Sequence, residues 1–225
     1  MKLSLVIPAY NEERRITKVL NAYTGSLKPK ADLELIVICD GTDKTAEIAR
    51  KKGAKVLEFK HRLGKGGGVI AGFKEAKGDV VAFVDSDMSV SPEDFWKVYS
   101  AIGEHDVAIA SRRTEGAKVP RKQSFNRRLM SNVFNRIIRL LFGLNISDTQ
   151  CGAKAFKAKA IKVVIPKMKS KGFEFDVELL WRLKKAGFSI VEVPVTWVDE
   201  KGSTFNLSHA PGMLLSLLRT RLGLF

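Results

Sequence analysis

Five short apolar runs set a rhythm that limits what this chain can become. Leu3–Ile7, Leu33–Ile38, Ala54–Phe59, Asp79–Val84 and Asp106–Ala110 are separated by segments with helix signals. Ser91-Pro92-Glu93-Asp94 places Ser at an N-cap, Pro at the first helical position and an acid in the first turn. Asn11 is expected to cap a helix carrying Glu12 and Glu13 at its positive end, and Gly64 to open one running to Lys77. Strands alternating with helices predict a Rossmann-like, mostly parallel sheet with right-handed crossovers and flanking helices, an α/β fold. In such a sheet the residues that follow each strand meet at one edge, where ligands bind.

At that edge the run 79–84 stops on Asp85-Ser86-Asp87. Residues i and i+2 of a strand point the same way, so Asp85 and Asp87 can converge on one hard cation. By itself the pair reads either as a metal site or as a solvated strand end. The other strand ends add Pro8, Ala9, Tyr10 and Glu12, and then Asp40-Gly41. Asp40 can accept hydrogen bonds from a base or ribose, and Tyr10 can pack on a planar ring; Asp40-Gly41 also reads as a simple turn. Gly64-Lys65-Gly66-Gly67-Gly68 can bring backbone amides and the Lys65 ammonium onto phosphates at a helix start, or be a flexible turn. Its spacing matches neither a Walker A loop nor a dinucleotide fingerprint.

The second half has a different character. Asn126–Leu144 places Leu129, Val133, Phe134, Ile137, Ile138 and Leu141 on one side, with Arg127, Arg128, Arg136 and Arg139 between them, the pattern of an amphipathic basic helix. Short strands are expected over Ala153–Phe156 and Phe188–Val195, helices near 158–164 and 174–186, and a Leu/Met-rich end over Leu207–Phe225. The net charge is +15, and the stretch from Arg112 to Arg139 holds nine basic residues against Glu115. Such a face points to a polyanionic partner: nucleic acid, anionic lipid headgroups or a phosphorylated substrate. Cys39 and Cys151 have no metal-ligand spacing and form no disulfide framework, which suits a reducing cytoplasm. No signal peptide is read at the start, and no apolar run approaches the ~20 residues that span a bilayer. One domain is expected over 1–225, with a nucleotide-binding half (1–110), an acceptor-binding half (111–206) and an amphipathic segment (207–225).

Taken in order, Pro8-Ala9-Tyr10-Asn11-Glu12, Asp40-Gly41-Thr42-Asp43-Lys44-Thr45, Gly64-Lys65-Gly66 and Asp85-Ser86-Asp87 resemble the family 2 glycosyltransferases of GT-A fold. Asp148–Phe156 and Phe175–Leu180 resemble dolichyl-phosphate β-glucosyltransferases and, less closely, dolichyl-phosphate mannose synthases. The resemblance covers about residues 3–205. It implies that Pro8, Ala9, Tyr10, Glu12, Asp40, Lys65, Asp85 and Ser86 bind a nucleotide-sugar, with Asp40 on the base. Asp87, with Asp85 and the position of Ser89, would hold Mg²⁺ or Mn²⁺. Arg112, Arg127 and Arg128 would hold an acceptor phosphate, and Asp148 and Gln150 would shape the sugar and acceptor side. Asp85, Asp87 and Asp176 would be the catalytic set.

The chain departs from the family pattern in four places. Cys39 replaces the first Asp of an Asp-Asp-Gly turn, Ser89 stands where mannose synthases carry a metal-binding Gln, and Thr204 where a basic residue is usual. The transmembrane tether of many members has no counterpart here. The implied reaction moves a hexose from UDP-glucose or GDP-mannose to a polyprenyl or dolichyl phosphate, with inversion. It would occur on the cytoplasmic face of an anionic membrane, where the two amphipathic segments act as interfacial helices. A phosphate acceptor, with a second pKa near ~6, needs no general base. Two other classes stay open: a soluble enzyme acting on a sugar hydroxyl, with Asp176, Glu174 or Asp148 as base, and a basic nucleic-acid-binding protein. The second fits less well, because no aromatics interleave with the basic run as stacking platforms. Nothing in the sequence fixes the oligomeric state.

Overall fold

The computed structural model describes residues 1–120, 125–199 and 210–224, with backbone alone for 125–132 and 210–211. In chain order the elements are β1 (Lys2–Ala9), α1 (Ile16–Leu27), β2 (Asp32–Cys39), α2 (Thr45–Lys51), β3 (Lys55–Glu58), α3 (Gly64–Glu75), β4 (Val80–Val84) and α4 (Pro92–Ser100). They continue with β5 (Val107–Ser111), α5 (Phe125–Phe142), β6 (Ala153–Lys157), α6 (Ala158–Val164), α7 (Phe175–Lys185), β7 (Ile190–Pro194) and α8 (Ala210–Leu222).

The strands form one seven-stranded sheet in the order β3-β2-β1-β4-β6-β5-β7. Parallel pairing joins β1 to β2 and β4, β2 to β3, and β5 to β7, while β6 runs antiparallel to both β4 and β5. Six strands therefore share one direction, as the rhythm of the first half requires. The reversed strand matters for function. Its start lies beside the end of β4, with Val84 paired to Ala153, so the loop before it arrives at the ligand edge.

Period-two alternation feeds two cores, one on each face of the sheet. Leu3, Leu5 and Ile7 pack with Ile16, Leu20, Tyr23, Phe95 and Val98 on one side. Val6, Ile36, Val81 and Phe83 pack with Val69, Phe73, Phe175, Leu179 and Leu217 on the other. Ser91 caps α4, accepting from the Asp94 N–H at 3.1 Å.

Asn11 does not cap α1. It adopts φ +55°, and its Oδ1 accepts the Thr42 N–H at 2.9 Å. The Glu12 and Glu13 amides donate to Thr45 Oγ1 and Asp43 Oδ2, tying this turn to the β2–α2 loop, and the helix begins only at Ile16 with no acid in its first turn. The glycine-rich segment also departs from expectation. Gly66 and Gly67 donate their amides to Gly172 O and Lys171 O at 3.2 and 3.0 Å. Those two amides dock α3 on the loop before α7 and are already engaged within the protein.

Candidate active site

A cleft of about 620 Å³ opens beyond the carboxyl ends of β1, β2 and β4. Pro8, Ala9, Tyr10 and Glu12 line it from the end of β1, Asp40 from β2, Lys65 from the start of α3, and Asp85, Ser86 and Asp87 from β4. These nine are residues the sequence singles out. Arg15, Arg62, Phe173, Glu174 and Met213 complete much of the wall. Of these the sequence offers only Glu174; the others come from turns and from α8, whose place at the cleft is a tertiary fact.

The charged groups are arranged in sequence. Lys65 Nζ lies 2.7 and 3.0 Å from the two carboxylate oxygens of Asp85. Burial pulls the Lys65 pKa down, but the charges of Asp85 and then Asp176 outweigh it and push it up to about 12. Asp85 moves upward, through burial and the nearby charge of Asp87, against the opposing pull of Lys65. Gly152 closes the far side of Asp85. Its carbonyl accepts the Asp85 N–H at 2.9 Å, and a Cβ at 152 would stand 1.9 Å from Asp85 Oδ2. Only glycine fits there, and the chain position alone gives no sign of it.

Asp87 is partly exposed; its Oδ1 accepts the Ser89 N–H at 2.9 Å, across Met88 at φ +61°. Ser89 is buried, its carbonyl accepts the Val198 N–H at 3.0 Å, and it does not line the cleft. Among the described residues no group of three or more His, Cys, Asp or Glu side chains forms a metal-ligand set. A donor set of few, hard carboxylate oxygens does not suit a fully caged structural ion. It does fit a divalent cation that keeps waters and takes its remaining ligands from substrate phosphates.

At the end of β2, Asp40 Oδ2 accepts the Leu63 N–H at 2.8 Å. The Arg62 guanidinium lies 3.8 Å from the centroid of the Tyr10 ring, so a base stacking on that face must displace it. Glu12 is buried and chelates Arg15 at 2.6 and 2.7 Å.

The remaining predicted residues lie behind the cleft or away from it. Asp148 is 1% exposed and holds Arg112 through Nε at 2.6 Å, Nη2 at 2.8 Å and the backbone N–H at 3.0 Å. Gln150 follows on the same loop, its N–H 3.3 Å from Asp148 Oδ1. Asp176 is 1% exposed and bound to Lys154. None of these four lines the cleft, so Asp176, expected in the catalytic set, is not placed to touch a substrate there. The side chains of Arg127 and Arg128, and Thr204, lie outside the described residues.

Burial would raise Asp148, but the Arg112 charge and hydrogen bonds hold it down to about 2. A folded pKa below the usual 3.8 means stability that is present above about pH 4 and lost as pH falls through about 2. Asp148→Asn should cost about 2 kcal/mol at neutral pH, since each tenfold change in proton affinity is worth roughly 1.4 kcal/mol. In urea melts the gap to the wild type should close as the pH is lowered from 4 to 2.

The glycosyl transferase family 2 profile matches residues 4–165. The chain is 33% identical to the glycosyltransferase AglD of Haloferax volcanii over 91% of its own length, and spans 34% of that protein. It is 31% identical to the dolichyl-phosphate beta-glucosyltransferase of Drosophila melanogaster, covering 90% of this chain and 69% of the relative. With the undecaprenyl-phosphate mannosyltransferase of Micrococcus luteus it shares 30% identity, over 89% of this chain and 85% of the relative. Glucosyl-3-phosphoglycerate synthase from Mycobacterium tuberculosis, solved with Mn²⁺, UDP-glucose and phosphoglyceric acid, superposes with a TM-score of 0.73 at 23% identity. The match covers 99% of this chain and 80% of that one. That likeness concerns the fold, and it agrees with the GT-A architecture of the sheet and its flanking helices. On the profile match and the relatives together, the chain belongs to the family 2 glycosyltransferases.

Proposed function

We propose that this chain transfers a hexose from a nucleotide-sugar, UDP-glucose or GDP-mannose, to the phosphate of a polyprenyl phosphate, inverting the anomeric centre. The observation that carries the reading is the convergence of Tyr10, Asp40, Lys65, Asp85 and Asp87 on one cleft. Relatives named for dolichyl-phosphate glucosyl transfer and undecaprenyl-phosphate mannosyl transfer support the acceptor class and leave the hexose open.

In this reading Asp40 accepts from the base, Tyr10 packs on it, and the Lys65 ammonium faces the diphosphate. Asp87, backed by Asp85, would hold Mg²⁺ or Mn²⁺. When bound, that ion supplies Lewis-acid stabilisation of the leaving diphosphate. The acceptor phosphate is already ionised at neutral pH and attacks without a base; Arg112, held by Asp148 outside the cleft, does not supply the guanidinium that would match its oxygens. A sugar-hydroxyl acceptor would need a base. Asp148 and Asp176 are engaged in ion pairs, and of the three candidates Glu174 alone lines the cleft.

The membrane side of the proposal rests on α5 and α8. Val133 is 51% and Leu140 84% exposed, with Arg136 exposed between them on α5; Leu215 is 51% and Leu222 68% exposed, with Arg219 exposed between them on α8. Arg221 Nε donates to Leu141 O at 2.9 Å, joining the ends of the two helices. Both faces follow helical spacing and mix leucine with arginine, as in a helix lying in a headgroup layer. No helix among the described residues is long and apolar enough to cross a membrane. In this reading the protein acts peripherally on the cytoplasmic face, consistent with two free, buried cysteines. Leu140→Glu with Leu215→Glu should weaken sedimentation with phosphatidylserine vesicles by at least about 100-fold, from roughly 1.5–3 kcal/mol per buried leucine. Turnover of a short, water-soluble prenyl phosphate should stay unchanged.

The test of the reaction is to incubate the protein with Mn²⁺, polyprenyl phosphate and each labelled nucleotide-sugar in turn, then partition into organic solvent. Label should enter the lipid phase from one donor and stop on chelation. Label in a simple sugar acceptor, with none in lipid, would refute the proposal.

A further inference from the structure

The Asp176 carboxylate is held in a setting that burial alone does not explain. It sits on the first turn of α7, and its Oδ1 holds Lys154 Nζ at 2.5 Å. Lys154 is 0% exposed and donates a second hydrogen bond to Cys151 O at 2.7 Å. A buried pair of this kind is weakly justified by stability, because apolar replacements of matching volume are often neutral or better.

Its neighbour is the lysine at the cleft. The ammonium groups of Lys65 and Lys154 lie 5.7 and 5.1 Å from the centroid of the same Phe83 ring. Gly66 approaches α7 so closely that a Cβ there would stand 2.5 Å from Phe175 Cβ, and its N–H donates to Gly172 O. The starts of α3 and α7 therefore pack together, and the charge of Asp176 acts on Lys65 next after that of Asp85. Two ion pairs, Asp85–Lys65 at the cleft and Asp176–Lys154 in the core, thus bring their ammonium groups to the same Phe83 ring.

We propose that Asp176 is a positioning residue: its carboxylate, fixed by Lys154, is a buried counter-charge that holds the Lys65 ammonium at the cleft, where it meets the donor's diphosphate. The inference rests on the nucleotide-sugar reading above. An ammonium that leaves Asp85 for a phosphate oxygen stays within the field of Asp176, so the lysine exchanges partners without losing its place. No proton is taken from the acceptor by Asp176.

The test is a mutant cycle. Asp176→Asn alone leaves the buried Lys154 without its counter-charge, so the main variant replaces the pair together, Lys154→Met with Asp176→Leu. Folding is checked by circular dichroism. Asp176→Asn is the second variant, read at a temperature where it is folded. Lys65→Met is made in the wild type and in each background, and turnover and nucleoside diphosphate affinity are measured. The expected result is a folded pair variant with kcat lowered about 30-fold and KM for lipid unchanged, in which Lys65→Met costs under about 3-fold more, the non-additivity of coupled residues. Wild-type turnover and affinity in the pair variant, or losses that multiply, would overturn the inference while leaving the transfer reaction standing. A wild-type chain that binds no nucleoside diphosphate would overturn both.

Discussion

Asp87→Ala is expected to reduce hexose transfer by at least ~100-fold while leaving the protein folded. The carboxylate is partly exposed, and the hydrogen bond it accepts comes from Ser89 N–H within its own loop, so its removal opens no core cavity. In the proposed reaction it is the principal protein ligand of the divalent ion. Lewis-acid stabilisation of a leaving diphosphate is worth several kcal/mol, and each ~1.4 kcal/mol is tenfold in rate. The measurement pairs a Mn²⁺ titration of activity with a thermal melt. Loss of metal dependence at an unchanged midpoint is the expected result. A variant that unfolds would make the acid structural, and one that keeps metal-dependent turnover would move the ion elsewhere.

The second large effect is expected at a residue with no reactive group. Gly152→Ala brings a methyl carbon to 1.9 Å from Asp85 Oδ2 and 2.4 Å from Cγ. Asp85 cannot simply rotate aside, because both of its oxygens hold Lys65 and its N–H is bonded to Gly152 O. The side chain, or the β4–β6 junction, must shift by an ångström or more. Displacement on that scale costs about 100-fold in turnover, and overpacking costs about 1–3 kcal/mol of stability. Steady-state kinetics with a melt should show a catalytic loss out of proportion to a modest fall in midpoint. Gly152→Ala with native kinetics would mean that the position of Asp85 is immaterial to the reaction.

These two residues also mark how far the sequence can be read. The β4 run and its Asp-x-Asp end were visible because burial and strand alternation are local properties; both carboxylates line the cleft. The strands of the first half were legible for the same reason, their limits falling within a residue or two of the observed ones. Gly152 was not visible as a neighbour of Asp85. Its contact arises because β6 runs antiparallel into the sheet, and a short apolar strand reads the same in either direction. The partners of the Gly66 and Gly67 amides were hidden likewise, since the Lys171 and Gly172 carbonyls lie about a hundred residues away in sequence. Asn11 misled because an Asn before two acids is a good cap on paper, while the loop–loop bond to Thr42 favours a left-handed backbone. Asp148 was expected to shape the sugar and acceptor side and Asp176 to belong to the catalytic set, and neither lines the cleft. Only the folded chain shows that each is matched to a buried or half-buried cation, Arg112 and Lys154, rather than facing the cleft.

The destination of the hexose decides whether the proposed transfer takes place. Phosphorus NMR of polyprenyl phosphate incubated with the protein, Mn²⁺ and a nucleotide-sugar follows both partners at once. The expected spectrum shows the lipid monoester signal converting to a phosphodiester in step with release of nucleoside diphosphate. Release of the diphosphate with the lipid signal unchanged would contradict the account.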